Sequence, residues 1–140
     1  MGVWDDSEFG LHAGHVLMAH TNADVSQDGT SSVHQVVPKM VYPEYSPDFP
    51  HDKYTIAFPS SSSTDFYINL QSNQSHHSPR IEVNSDGEGV QVEGESCFGK
   101  ITDVESRRVV DRMDALSVGE GGMLDERVKI VSAKIVGARR

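Results

Sequence analysis

The residues of this sequence that could do chemistry fall into four groups: one face of a strand, seven histidines, an acidic loop and a single cysteine. In Thr64-Asp65-Phe66-Tyr67-Ile68-Asn69-Leu70 the alternation of a strand sends Phe66, Ile68 and Leu70 one way and Asp65, Tyr67 and Asn69 the other. The first face suits a core. The second shows an aromatic ring and polar groups to a groove. Zinc needs three or four converging ligands. His12, His15 and His20 are close in sequence, but His15 and His20 bracket a strand at an odd offset that separates their faces; His34, His76 and His77 lie elsewhere. Structural or solvent-facing imidazoles are therefore expected, with no metal and no other cofactor. Asp86, Glu88, Glu93 and Glu95 lack the spacing of a calcium loop and read as a solvated acidic loop. Cys97, in a strand with no histidine nearby in sequence, reads as a buried and inert thiol. The run Ser60 to Ser63 has no nucleophile elbow around it and reads as a loop.

The elements that must position these groups are mostly strands. His15 to His20 is a short apolar run, Val33 to Tyr42 a second candidate bent by Pro38, and Lys53 to Phe58 a third stopped by Pro59. Residues 1–14 read as an acidic, glycine-containing lead-in, with residues 15–140 as the domain proper. Between the strands at 64–70 and 96–101 lies a long polar stretch, in which 81–83 and 90–92 predict a weak hairpin. Asp103 is a good N-cap with Glu105 in the first turn, and Val109, Val110, Met113 and Leu116 keep helical spacing up to a stop at Gly119. This is the one helix expected. A terminal strand is predicted over 126–136. The sum is a mostly β fold, a barrel or sandwich, with one helix near the C-terminus.

Four segments in order, Thr64-Asp65-Phe66-Tyr67-Ile68, Cys97-Phe98-Gly99-Lys100-Ile101, Arg108-Val109-Val110-Asp111-Arg112-Met113 and Val128-Lys129-Ile130-Val131-Ser132, resemble the second half of cyclophilins. The resemblance runs from about Lys53 to the end and implies an antiparallel barrel, incomplete here because the family's first two strands and first helix would precede Trp4. It implies peptidyl-prolyl cis-trans isomerase chemistry without a cofactor, acting on proline-containing or extended peptide segments. Catalysis of that kind stabilises a twisted amide: an apolar slot holds the proline ring and a donor at the imide nitrogen weakens its resonance. Carried over residue by residue, the family's groove glutamine falls on Asp65, its slot-lining Phe on Tyr67, its Met-Ala segment near Phe58-Pro59 and its groove histidine on Glu95. Those four, Phe58, Asp65, Tyr67 and Glu95, are the expected peptide-binding residues. No residue matches the catalytic arginine: the first lysine or arginine of the chain is Lys39. Isomerase activity is expected to be weak or absent. The alternative is a non-catalytic peptide-binding or structural module of a larger protein.

Composition limits the partners. A net charge of −9 over 140 residues argues against a nucleic-acid surface and against an anionic membrane. No apolar run approaches the roughly 20 residues of a membrane span, and one cysteine excludes an internal disulfide. The expectation is a soluble domain, cytoplasmic by default.

Overall fold

A computed structural model describes residues 8–20, 44–60, 65–134 and 136–137. The strand expected at 33–42 lies outside them. The described strands build a six-stranded antiparallel sheet from β1 (Glu8–His12), β2 (Val16–His20), β3 (Thr55–Phe58), β4 (Phe66–Asn69), β7 (Ser96–Lys100) and β8 (Met123–Lys129), in the order β7-β3-β4-β2-β1-β8. The sheet is open, with β7 and β8 at its edges. A separate hairpin joins β5 (Arg80–Val83) to β6 (Gly89–Val92), as the sequence predicts. Its turn is held by Asn84, whose side-chain oxygen accepts from the N–H groups of Asp86 and Glu88 at 3.0 and 2.9 Å.

Alternation decides which face is core. Leu17 lies opposite Ile68 and Ala19 opposite Phe66, while Ile56 meets the same Ile68 from β3. On this face Phe9, Leu17, Ala19, Ile68, Leu70 and Leu124 bury together with Val110 and Met113 of α2 (Val104–Asp114). Asp103 caps α2 by accepting from the Ser106 N–H at 2.8 Å. The helix stops at Ala115 rather than at the expected Gly119, because Leu116 turns back onto the core. Among the described residues no helix is long and apolar enough to cross a membrane.

Three expectations need correction. The lead-in of residues 1–14 contains β1, whose Phe9 enters the core opposite Ala19 and Val128. A register shift between Phe9 and Leu11 breaks the period-2 pattern that would have announced it. The helix at the C-terminal side is not the only one, since Gln74–His77 forms a short α1. That turn buries none of its own four residues and has no side-chain cap, so it left no amphipathic trace. The last strand runs over 123–129 rather than 126–136, because its described partner pairs only from Glu8 to Leu11.

Tyr54 ties sheet to helix. Its N–H donates to the Asn69 carbonyl at 2.8 Å, its own carbonyl accepts from Ile101 at 2.9 Å, and its hydroxyl donates to Asp111 at 2.9 Å. It holds a left-handed φ of 69°, which costs a non-glycine residue about 1–2 kcal/mol. These three anchors and the Lys53 and Arg107 cations over its ring offset that cost.

Candidate functional site

The second face of the sheet carries the site. β2, β3 and β4 place Val16, Ala57 and Tyr67 on it, with Met18 and Cys97 packed alongside. Thr55 and Asn69 extend the same face with polar groups, joined by a 2.9 Å bond from the Asn69 amide to the Thr55 hydroxyl. Tyr67 is the aromatic residue that strand alternation directs outward from the core, yet it is only 1% exposed. What buries it is a polar cap made of the segment 44–52, the α1 turn and Glu95.

Each part of the cap has an identifiable anchor. Asn73 is fully buried; its side-chain amide donates to the His15 carbonyl at 2.9 Å and to Asn69 Oδ1 at 2.6 Å. Its N–H donates to the His51 carbonyl at 2.7 Å, and its carbonyl receives the N–H groups of His76 and His77. Asn73 thus starts α1 and fastens it to the β1–β2 turn, to β4 and to the 44–52 segment together. His51, also fully buried, donates from Nε2 to the Glu95 carbonyl at 2.9 Å, which leaves Nδ1 to accept from the Asn69 amide at 3.4 Å, with the Tyr67 oxygen 3.5 Å away. Tyr45 stacks on His51 and receives the Ser78 hydroxyl at 3.1 Å. Gly94 is required beneath it: a Cβ there would stand 2.7 Å from the Tyr45 ring.

Glu95 is the electrostatic centre. It accepts from the Tyr67 hydroxyl, from His77 Nδ1 at 2.6 Å and, on its other oxygen, from the Ser60 N–H at 3.1 Å. Burial alone pushes this carboxyl up, but the three donors outweigh it and bring it down to about 2. Burial, and then the bond to Glu95, raises the Tyr67 hydroxyl well above its ordinary value. Burial likewise lowers His51, against the opposing bond to the Glu95 carbonyl. The arrangement gathers the Tyr67 phenol and the His77 ring on the Glu95 carboxylate, with His51 on the backbone carbonyl of the same residue. Its groups are already bonded to one another, which suits holding a shape better than attacking a substrate.

The structure unites two of the four expected residues, Tyr67 and Glu95, by a direct hydrogen bond. Asp65 stands half-buried just before β4. Phe58 goes elsewhere: Ala57 packs with Tyr67, so the next side chain points from the opposite face of β3 and stacks on Phe98 at 4.1 Å between ring centroids. Cys97 is half-buried beside Tyr67, its thiol directed at the Gly99 carbonyl. Sequence reading missed His51, Asn73, His77 and Tyr45, and also missed that His15 lies against the His76-His77 pair, with ring centroids 5.6 Å apart to each. Polar residues flanking strands carry no periodic signal; the Asn-x-x-His-His spacing was the one available hint. Among the described residues no group of three or more His, Cys, Asp or Glu is placed to hold a metal ion. An open cavity of about 710 Å³ lies away from this face, on the outer side of α2 between Glu105, Arg108, Val109 and Arg112. No protein-family model matches the chain, and a comparison with curated proteins finds no match.

Asn73→Ala tests the anchoring directly. It removes two buried donor bonds, taking the amide donor from the Asn69 oxygen and leaving the His15 carbonyl with the Leu70 N–H. The expected cost is about 2 kcal/mol by chemical denaturation, with the amides of 74–78 losing exchange protection ahead of those of β4.

Proposed function

We propose that this chain is a cyclophilin-like peptide-binding module in which isomerase turnover is weak or absent. One observation carries the second half of that reading: the Tyr67 hydroxyl is spent on Glu95, and no described arginine donates into its face. Arg80 bonds Glu82 and the His76 carbonyl, Arg107 donates to the Ile101 carbonyl at 3.0 Å, Arg108 pairs with Glu105 on α2, and Arg127 pairs with Glu8 at 3.2 Å across the far edge of the sheet. A twisted Xaa-Pro amide there would meet none of these four cations at its nitrogen. The peptide-binding half is supported by the order of the four family-like segments and by the aromatic face of β4. The open antiparallel sheet, whose edges β7 and β8 carry no further strand among the described residues, is compatible with part of a cyclophilin-type barrel. A structural module is the second reading, favoured by the near-complete burial of Tyr67.

The test is a proline-isomerisation assay on a blocked Ala-Ala-Pro-Phe peptide with the full chain in excess, run beside NMR shift mapping. The expected result is peptide-induced shifts at Tyr67 and its neighbours with no measurable acceleration. Acceleration abolished by Tyr67→Phe would make the chain an isomerase with an unorthodox donor. A folded sample with neither shifts nor acceleration under any condition would leave the structural module.

A further inference from the structure

We propose that the cap over Tyr67 is a proton-released cover: acidification through the imidazole range detaches the 44–52 segment and the α1 turn from the sheet and opens the Tyr67 face to an extended peptide. The proposal rests on the peptide-binding reading for its ligand, but not for its mechanism.

The geometry supplies the trigger. Four imidazoles from three segments share the cap: His15 from the β1–β2 turn, His51 from the 44–52 segment, and His76 and His77 from α1. Ring centroids lie 5.2 Å apart for His51–His77 and 5.6 Å apart for His15 with each of His76 and His77. The charged and titratable groups facing them are few. Glu95 meets His51 and His77, Tyr67 lies against both rings, Tyr45 stacks on His51, and Cys97 packs beside Tyr67. Arg80 reaches the His76 carbonyl, and its charge is already paired with Glu82. Asp52, on the 44–52 segment, receives the Gln74 amide at 2.9 Å. Glu95 can neutralise one imidazolium. Among the described residues no other carboxylate bonds any of these rings, so a second imidazolium repels the first at close range.

Two atoms sharpen the argument. His51 Nδ1 faces the Asn69 amide as an acceptor, so a proton there sets donor against donor and leaves only the Tyr67 oxygen, 3.5 Å away, to receive it. His77 Nε2 is buried with no partner among the described residues, so its ring gains when the cap lifts and water reaches it. The hinge is also permissive. The cap contributes nothing to the core around Leu17, Ile68 and Met113, and α1 buries none of its residues. Opening therefore leaves the hydrophobic face of the sheet in place.

Hydrogen exchange followed by NMR on the full chain at pH 7.5 and 5.5, corrected for intrinsic rates, tests the cover. The Asn73, His76 and His77 amides are expected to lose at least about tenfold in protection at the lower pH, while those of β2 and β4 keep theirs. Unchanged cap protection, or simultaneous loss in cap and core, overturns the proposal. His15→Gln removes one imidazole from outside the Tyr67–Glu95 pair and is expected to shift opening to lower pH; an unshifted profile would remove the imidazole stack as the cause. Gly94→Ala opens the cap without protons, by displacing Tyr45, and is expected to show the acid pattern at pH 7.5. Titration with blocked Ala-Ala-Pro-Phe separates the two readings. Binding that tightens about tenfold at pH 5.5, and in Gly94→Ala at pH 7.5, supports both. A cap that opens while no peptide binds sinks the peptide reading and leaves the cover, whereas equal binding at both pH values with the cap closed does the reverse.

Discussion

Replacing Tyr67 with alanine is expected to lower the unfolding free energy by about 4 kcal/mol, the largest effect of any single substitution on the second face. The ring is 1% exposed and packed by Val16, Ala57, Met18 and Cys97, with His51 and His77 over it. Its loss opens a cavity that the sheet backbone cannot fill by moving. It also strips Glu95 of a donor, and a buried carboxylate with a missing partner adds to the cost. Tyr67→Phe separates the two contributions, since it keeps the packing and removes only the hydroxyl; about 1–2 kcal/mol is expected. Phe58→Ala is the control. That residue is half-buried and stacks on a Phe98 that is 45% exposed, so about 1 kcal/mol is expected. Chemical denaturation of the three variants gives the ranking. A Tyr67→Ala cost no larger than that of Phe58→Ala would mean that the outer face of β4 is not packed as described.

The contrast between those two aromatics shows what the sequence could and could not disclose. Alternation alone places Tyr67 on the face away from Ile68, because the segment is short, aromatic and β-branched and pairs in regular register with β2. The resemblance to cyclophilins put Phe58 beside it, but register decides otherwise: Ala57 lies opposite Tyr67, and its successor points away. Burial was not legible at all. The groups that cover Tyr67 come from His51, 16 positions before it, and Glu95, 28 positions after it, through segments with no apolar pattern. A hydrophobic stripe announces itself by spacing, whereas a polar network of Asn69, Asn73, His51 and Glu95 is specified by where four backbones meet. Similarly, the α2 start was legible because a cap is local, Asp103 to Ser106, while β1 was hidden by a register shift that only its two partners reveal.

The same network makes the protein acid-labile in two steps with the same sign. His51 has its folded-state value depressed by burial, so between its ordinary value of 6.5 and that lower one the unfolded chain binds a proton that the folded chain refuses. The unfolded state then holds more protons, and stability falls as the pH drops below about 6.5. Glu95 follows. Its carboxyl sits at about 2 when folded against 4.5 in its ordinary state, so its contribution is complete above 4.5 and lost as the pH falls toward 2. That difference corresponds to about 3 kcal/mol in all. Denaturation midpoints at pH 7.5, 5.5, 4 and 3 are expected to decline throughout, with no maximum near neutral pH. Glu95→Gln is the decisive variant: it should be less stable than the parent at pH 7.5, yet lose less stability than the parent between pH 4.5 and 3, the remaining slope coming from Asp103 and Asp111, held low by the Ser106 N–H and the Tyr54 hydroxyl. A Gln variant whose acid profile still paralleled the parent's would place the acid sensitivity in other carboxylates and remove Glu95 from the centre of the cap.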